Sequence, residues 1–160
     1  MTRCTPPWAP VTSAAPPWRR TRADAWPYQG GTTASGTQLI QYACGGGSEQ
    51  AFTFKRAGAK IYTIVNVKSG KCLAVSGAGT SNGAAVVQES CAGTAAQRFE
   101  LKLVSGTQGY LLRPTHSYKC AEVTGAQTAN SAKVVQNACQ ADPLVKKNQV
   151  WRLSGVPGHL

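Results

Sequence analysis

The sequence predicts an all-β fold closed from three pseudo-equivalent repeats of four short strands, the N-terminal repeat being truncated. Three observations carry this. Cys72 and Cys120 are 48 residues apart, and so are Cys91 and Cys139, and Tyr62 and Tyr110. Each copy closes on Gln-x-aromatic: Gln50-Ala51-Phe52, Gln97-Arg98-Phe99 and Gln149-Val150-Trp151. Short apolar runs alternate with small-residue turns at spacings of about 8–12 residues, which suits strands better than helices. A shared offset over a whole unit marks a repeat architecture. In such an architecture no unit buries its apolar face alone.

The elements follow in order. Residues 1–29 do not share the pattern. They hold six of the nine prolines and three of the four tryptophans. Proline cannot donate to a ladder, so Pro6-Pro7 and Pro16-Pro17 argue against strands. At an offset of 47 this stretch fills the slot of the first two strands of the next copy. It reads as a disordered leader, leaving the first repeat without its opening strand and first cysteine. From Gly30 the grammar is regular. GGTTASG turns into a strand over residues 37–44, GGGS is a loop, and a strand ending at Phe52 continues through Phe54-Lys55-Arg56. The second copy has strands at residues 60–67, 71–76, 84–91 and 98–103. The third repeats the plan from Tyr110 to a last strand at residues 150–153. The predicted domain is 30–160, with repeats at about 30–58, 59–107 and 108–154.

A chain of 160 residues fits one domain with a real core. No stretch reaches the roughly 18 apolar residues of a membrane span. The net charge is +11. Outside Arg19-Arg20, Lys55-Arg56 and Lys146-Lys147 the cations stand singly, which reads as a solvated surface. Basic residues are not interleaved with aromatics, so nucleic acid is not an expected partner.

The cysteines divide into two sets. Cys72–Cys91 and Cys120–Cys139 share one spacing of 19 and one place in the repeat. No C-x-x-C or His pairing supports a metal site. Two disulfides within repeats are predicted, and these imply an oxidising compartment and secretion. The first 29 residues show no apolar core of a signal peptide, so that inference rests on the cysteines. Cys44 matches Cys91 and Cys139, but its partner position holds Ala25, so Cys44 is expected to be free.

The three Gln-x-aromatic closures, the KCLAV and KCAEV strands, and a cysteine six to ten residues before each Gln resemble the ricin-type β-trefoil lectin domain. This is the carbohydrate-binding module of ricin B chain and of many secreted hydrolases. The resemblance covers Gly30 to Leu153. It implies that Phe52, Phe99 and Trp151 meet in one core, with Gln50, Gln97 and Gln149 satisfying backbone groups beside it. It also implies shallow sugar sites. Each resembles a scheme of an acid two residues after the first Cys, an aromatic two before the second Cys, and an Asn before the closing Gln. The acid accepts from adjacent sugar hydroxyls, the amide donates and accepts, and the ring covers the apolar sugar face.

Carried over, the first unit has Pro27, Tyr42 and Glu49, and keeps only the ring. The second has Ala74, Glu89 and Ala96, and keeps nothing. The third has Glu122, Asn137 and Asn148, and keeps an acid and the amide. Candidate sugar-binding residues are therefore Glu122, Asn137, Asn148 and Tyr42. No carboxylate pair reads as a glycosidase acid and nucleophile, and His116 and His159 lack a nucleophile in motif context. The implied function is a non-catalytic module of a secreted protein, without cofactor, binding galactose- or xylose-type glycans or polysaccharide. A catalytic domain in a parent protein is an expected partner. The alternative is a trefoil scaffold with eroded sites that binds proteins or polyanions.

Overall fold

The computed structural model describes residues 24–25, 27–107, 109–141 and 147–153. Its strands are β1 (Asp24–Ala25), β2 (Tyr42–Ala43), β3 (Phe52–Gly58), β4 (Ile61–Asn66), β5 (Cys72–Val75), β6 (Val86–Glu89), β7 (Arg98–Leu103), β8 (Gly109–Pro114), β9 (Cys120–Val123), β10 (Val134–Asn137) and β11 (Trp151–Arg152). The only helical pieces among the described residues are 3-10 turns of three residues. The fold is an all-β trefoil. An antiparallel sheet runs β11-β8-β7-β4, with β3 also on β4. Three two-stranded hairpins, β1–β2, β5–β6 and β9–β10, share one register. Ala25 faces Tyr42, Cys72 faces Glu89, and Cys120 faces Asn137.

The closing aromatics do meet. Phe52, Phe99 and Trp151 belong to one buried cluster, with Leu39, Ile64, Leu73, Val86, Leu101, Leu112, Val123 and Val134. Large rings bring most of the apolar area per residue to such a core. The Trp151 indole N–H is also used, donating to Ala121 O at 2.9 Å.

Three glutamines that the motif reading did not single out tie the units into a ring. They end the runs Leu39-Ile40-Gln41, Val86-Val87-Gln88 and Val134-Val135-Gln136. Gln41 Nε2 donates to Gln127 O and Ala129 O, both at 2.9 Å. Gln88 Nε2 donates to Thr32 O at 2.8 Å and Ala34 O at 2.9 Å. Gln136 Nε2 donates to Gly79 O at 2.7 Å and Ser81 O at 3.1 Å. The first unit thus holds a loop of the third, the second holds the first, and the third holds the second. All three side chains are buried, so each bond replaces water that a buried amide cannot reach.

Four expectations are corrected. The end of the leader is part of the fold. β1 pairs with β2, and Tyr28 is buried in the core, its ring 6.0 Å from that of Phe52. Tyr28 occupies the place that Val75 and Val123 hold in the other units, each followed by a 3-10 turn. The composition of the Pro- and Trp-rich stretch concealed this strand. The remaining leader residues, 1–23 and 26, lie outside the described residues.

Cys44 is not free. It is disulfide-bonded, to a partner outside the described residues. The repeat register offered no thiol at Ala25, and the bond does not follow that register. The predicted Cys72–Cys91 and Cys120–Cys139 bonds are both present, each with Cα atoms 5.0 Å apart.

The strand expected over residues 37–44 is reduced to β2. The residues before it change partner at every step, Gln38 pairing with Val87, Leu39 with Tyr28 and Ile40 with Lys133. This is the junction of the three units, where a continuous ladder to one neighbour cannot form. Finally, β3 begins at Phe52, because a 3-10 turn over Ser48–Gln50 precedes it.

Candidate functional site

Each unit presents the same frame. A 3-10 turn ends on the closing glutamine: Ser48–Gln50, Ala95–Gln97 and Lys147–Gln149. The glutamine reaches back to the loop after the hairpin. Gln50 accepts from Gly45 N at 2.7 Å and donates to Ala43 O at 3.0 Å. Gln97 accepts from Ala92 N at 2.7 Å and donates to Ser90 O at 2.8 Å. Gln149 accepts from Gln140 N and donates to Ala138 O, both at 3.0 Å. The residue before each glutamine is thereby held beside the hairpin that carries the acid and ring positions.

What the frame presents differs. In the second unit Ala74 and Ala96 are buried apolar residues, and Glu89 stands at the ring position. In the first unit Pro27 is buried and Tyr42 is 41% exposed. Glu49 is half-buried, with its carboxylate folded toward Gly47.

The third unit brings its polar residues together. Glu122 lies on β9, Asn137 opposite Cys120 on β10, and Asn148 in the 3-10 turn. Asn137 Nδ2 donates to Glu122 Oε1. Gln149 Nε2 donates to Glu122 Oε2 at 2.7 Å. Asn137 Oδ1 accepts from Gly83 N at 2.8 Å, so a neighbouring unit fixes the amide orientation. Asn148 Nδ2 donates to Val123 O at 3.0 Å, while Asn148 Oδ1 is buried and without a partner among the described residues. An ionised carboxylate offers about four lone-pair sites, and these two bonds use two. The cluster therefore holds unfilled acceptors. Its chemical demand is for donors, such as hydroxyl groups.

Glu122 is 7% exposed, so the carboxylate sits at the floor of this cluster. Its link to Gln149 was not foreseen. Acid and glutamine were assigned separate roles, although their positions in one unit make the contact possible.

His116 is a contact between units. Its Nε2 lies 2.9 Å from Gly79 O, and Lys68 Nζ makes the matching bond to Gly31 O at 2.7 Å one unit earlier. No group of three or more His, Cys, Asp or Glu residues suited to a metal occurs among the described residues. No helix among them is long and apolar enough to cross a membrane.

Comparison with known proteins agrees with this geometry. A family model described as ricin-type beta-trefoil lectin domain-like matches residues 24–89, 48–137 and 95–159. The chain belongs to this ricin-type family. The match begins at Asp24, where β1 begins, and not at Gly30. Among solved structures, the chain is similar to the designed threefold-symmetric protein ThreeFoil, at 34% identity and a TM-score of 0.77, over 84% of this chain and 92% of that one. The Rhizoctonia solani agglutinin matches at 21% identity and 0.69, over 82% and 86% of the two chains. An exo-β-1,3-galactanase from Clostridium thermocellum matches at 23% and 0.75, over 82% of this chain and 27% of the galactanase. The last two likenesses concern the fold. No curated protein matches.

Proposed function

We propose that the chain is a non-catalytic carbohydrate-binding module of a secreted protein, and that the third unit is its principal sugar site. The observation that carries this is the gathering of Glu122 on β9, Asn137 on β10 and Asn148 in the following 3-10 turn, at the acid, ring and amide positions of one unit. Lone pairs of the Glu122 carboxylate left over after its two hydrogen bonds favour a ligand that brings several donors, and adjacent sugar hydroxyls do so. Asn137, held between Glu122 and Gly83, orients the carboxylate. Tyr42 adds a ring in the first unit, where an apolar sugar face can rest. Galactose- and xylose-type glycans are the ligand class that the family resemblance favours. Linked weak sites would gain avidity on a polysaccharide.

Secretion is supported by the two disulfides within repeats, since such bonds persist in oxidising compartments. A catalytic domain as partner is supported by the galactanase likeness, in which the matching portion is a minor part of a longer enzyme.

The test is retention of the full chain on immobilised xylan and galactan, with elution by free xylose or galactose at low and high salt. Sugar competition at both salts is expected. Binding that salt abolishes and sugar does not would point instead to the net charge of +11 acting on a polyanion.

A further inference from the structure

We propose that Tyr118, with Arg113 and Glu100, forms a second saccharide-contact surface outside the repeat pockets. The proposal rests on the reading of the chain as a carbohydrate-binding module.

Tyr118 is 55% exposed, at the turn between β8 and β9. Its φ is +52°, a conformation costly for an aromatic residue. At the same place one unit earlier the chain has Gly70, with φ +66°. A glycine therefore makes the same turn without strain, and the third unit carries a ring there instead.

The ring is fixed by its surroundings. The Arg113 guanidinium carbon lies 5.3 Å from the ring centroid. Arg113 Nε donates to Tyr118 O at 3.2 Å, and Arg113 Nη1 to Glu100 Oε2 at 3.0 Å. Arg113 and Glu100 are paired across β8 and β7. The second unit has nothing comparable: Val65 stands at its Arg113 position.

The chemistry beside the ring selects the ligand class. The guanidinium keeps Nη2 as a donor and Glu100 keeps Oε1 as an acceptor, neither bonded among the described residues. A rigid apolar ring flanked by one donor and one acceptor suits a sugar, whose C–H face stacks and whose hydroxyls both donate and accept. A polyanion would meet the Glu100 carboxylate.

Tyr118→Gly separates the ring from the fold, because glycine is at ease at this φ. The full chain and the variants Tyr118→Gly, Tyr118→Phe and Asn148→Ala would be titrated with xylotriose and β-1,3-linked galactotriose by NMR or calorimetry, with Tm recorded for each. The expected result is about 3- to 10-fold weaker binding for Tyr118→Gly at unchanged or higher Tm, and near-native binding for Tyr118→Phe. Unchanged affinity in Tyr118→Gly alongside weakened binding in Asn148→Ala would overturn this surface and leave the pocket reading in place. Equal losses in Tyr118→Gly and Tyr118→Phe would overturn the stacking role. Binding of neither oligosaccharide by the full chain would remove both.

Discussion

The second and third units share a backbone frame and differ in what it carries. Both have a disulfide spanning 19 residues, a β-hairpin of the same register, and a closing glutamine bonded back to the loop after that hairpin. Where the second unit has Ala74 and Ala96, the third has Glu122 and Asn148. The comparison separates two kinds of residue. Cysteines, closing glutamines and aromatics build the frame, and removing a cysteine pair or a ring should cost stability alike in either unit. The residues at the acid, ring and amide positions are replaceable without harm to the frame, because the second unit has replaced all of them and still folds the same way.

The largest effects should fall on the frame. Phe99→Ala and Trp151→Ala each remove a ring from the common core, and each should cost about 3–5 kcal/mol by denaturant unfolding. A large cost in one and little in the other would break the equivalence of the units. Removing either disulfide, as Cys72→Ser/Cys91→Ser or Cys120→Ser/Cys139→Ser, opens a loop of about 20 residues and should cost about 3 kcal/mol in both units.

The closing glutamines sharpen the comparison. Gln97→Ala leaves backbone groups unmet at a buried site, with an expected cost of about 2 kcal/mol. Gln149→Ala should cost about 1 kcal/mol more, since Glu122 Oε2 also loses its donor. Equal costs would mean that the carboxylate gains nothing from that bond.

The smallest effect lies in the first unit. Tyr28 stands where the other units have valine, and its buried hydroxyl has no partner among the described residues. Burial holds the phenol far above its usual value of 10.0. The folded form keeps the proton that the unfolded chain releases, so this contribution to stability is present below about pH 10 and declines above it. Tyr28→Phe should therefore unfold at neutral pH with unchanged or slightly raised Tm, and should show less alkaline destabilisation than the parent. An unchanged alkaline profile would exclude Tyr28 as its source.

The frame was readable because its residues recur at fixed offsets. Cysteine spacing and Gln-x-aromatic placed three units, and the structure keeps them. The ring of Gln41, Gln88 and Gln136 was equally periodic. It went unread because its partners are carbonyls of the neighbouring unit, which spacing within a unit does not reveal. Tyr28 and Cys44 were misread for a related reason. Tyr28 lies within a Pro- and Trp-rich stretch that departs from the repeat, and Cys44 keeps its place in the repeat but is bonded outside the register.

The site was legible only in part. Position in the repeat proposes Glu122, Asn137 and Asn148, and the structure adds a bond between the first two. The second set of polar side chains, around Tyr118, had no counterpart in other units to point to it.

The most direct test converts the third unit into the second at the three variable positions. The variant Glu122→Ala/Asn137→Glu/Asn148→Ala would be compared with the parent for Tm and for retention on xylan and galactan. The account predicts a cooperative fold within a few degrees of the parent's Tm, with affinity for both polysaccharides sharply reduced. Unchanged retention would contradict the placing of the sugar site in the third unit, and loss of the fold would contradict the division between frame and site.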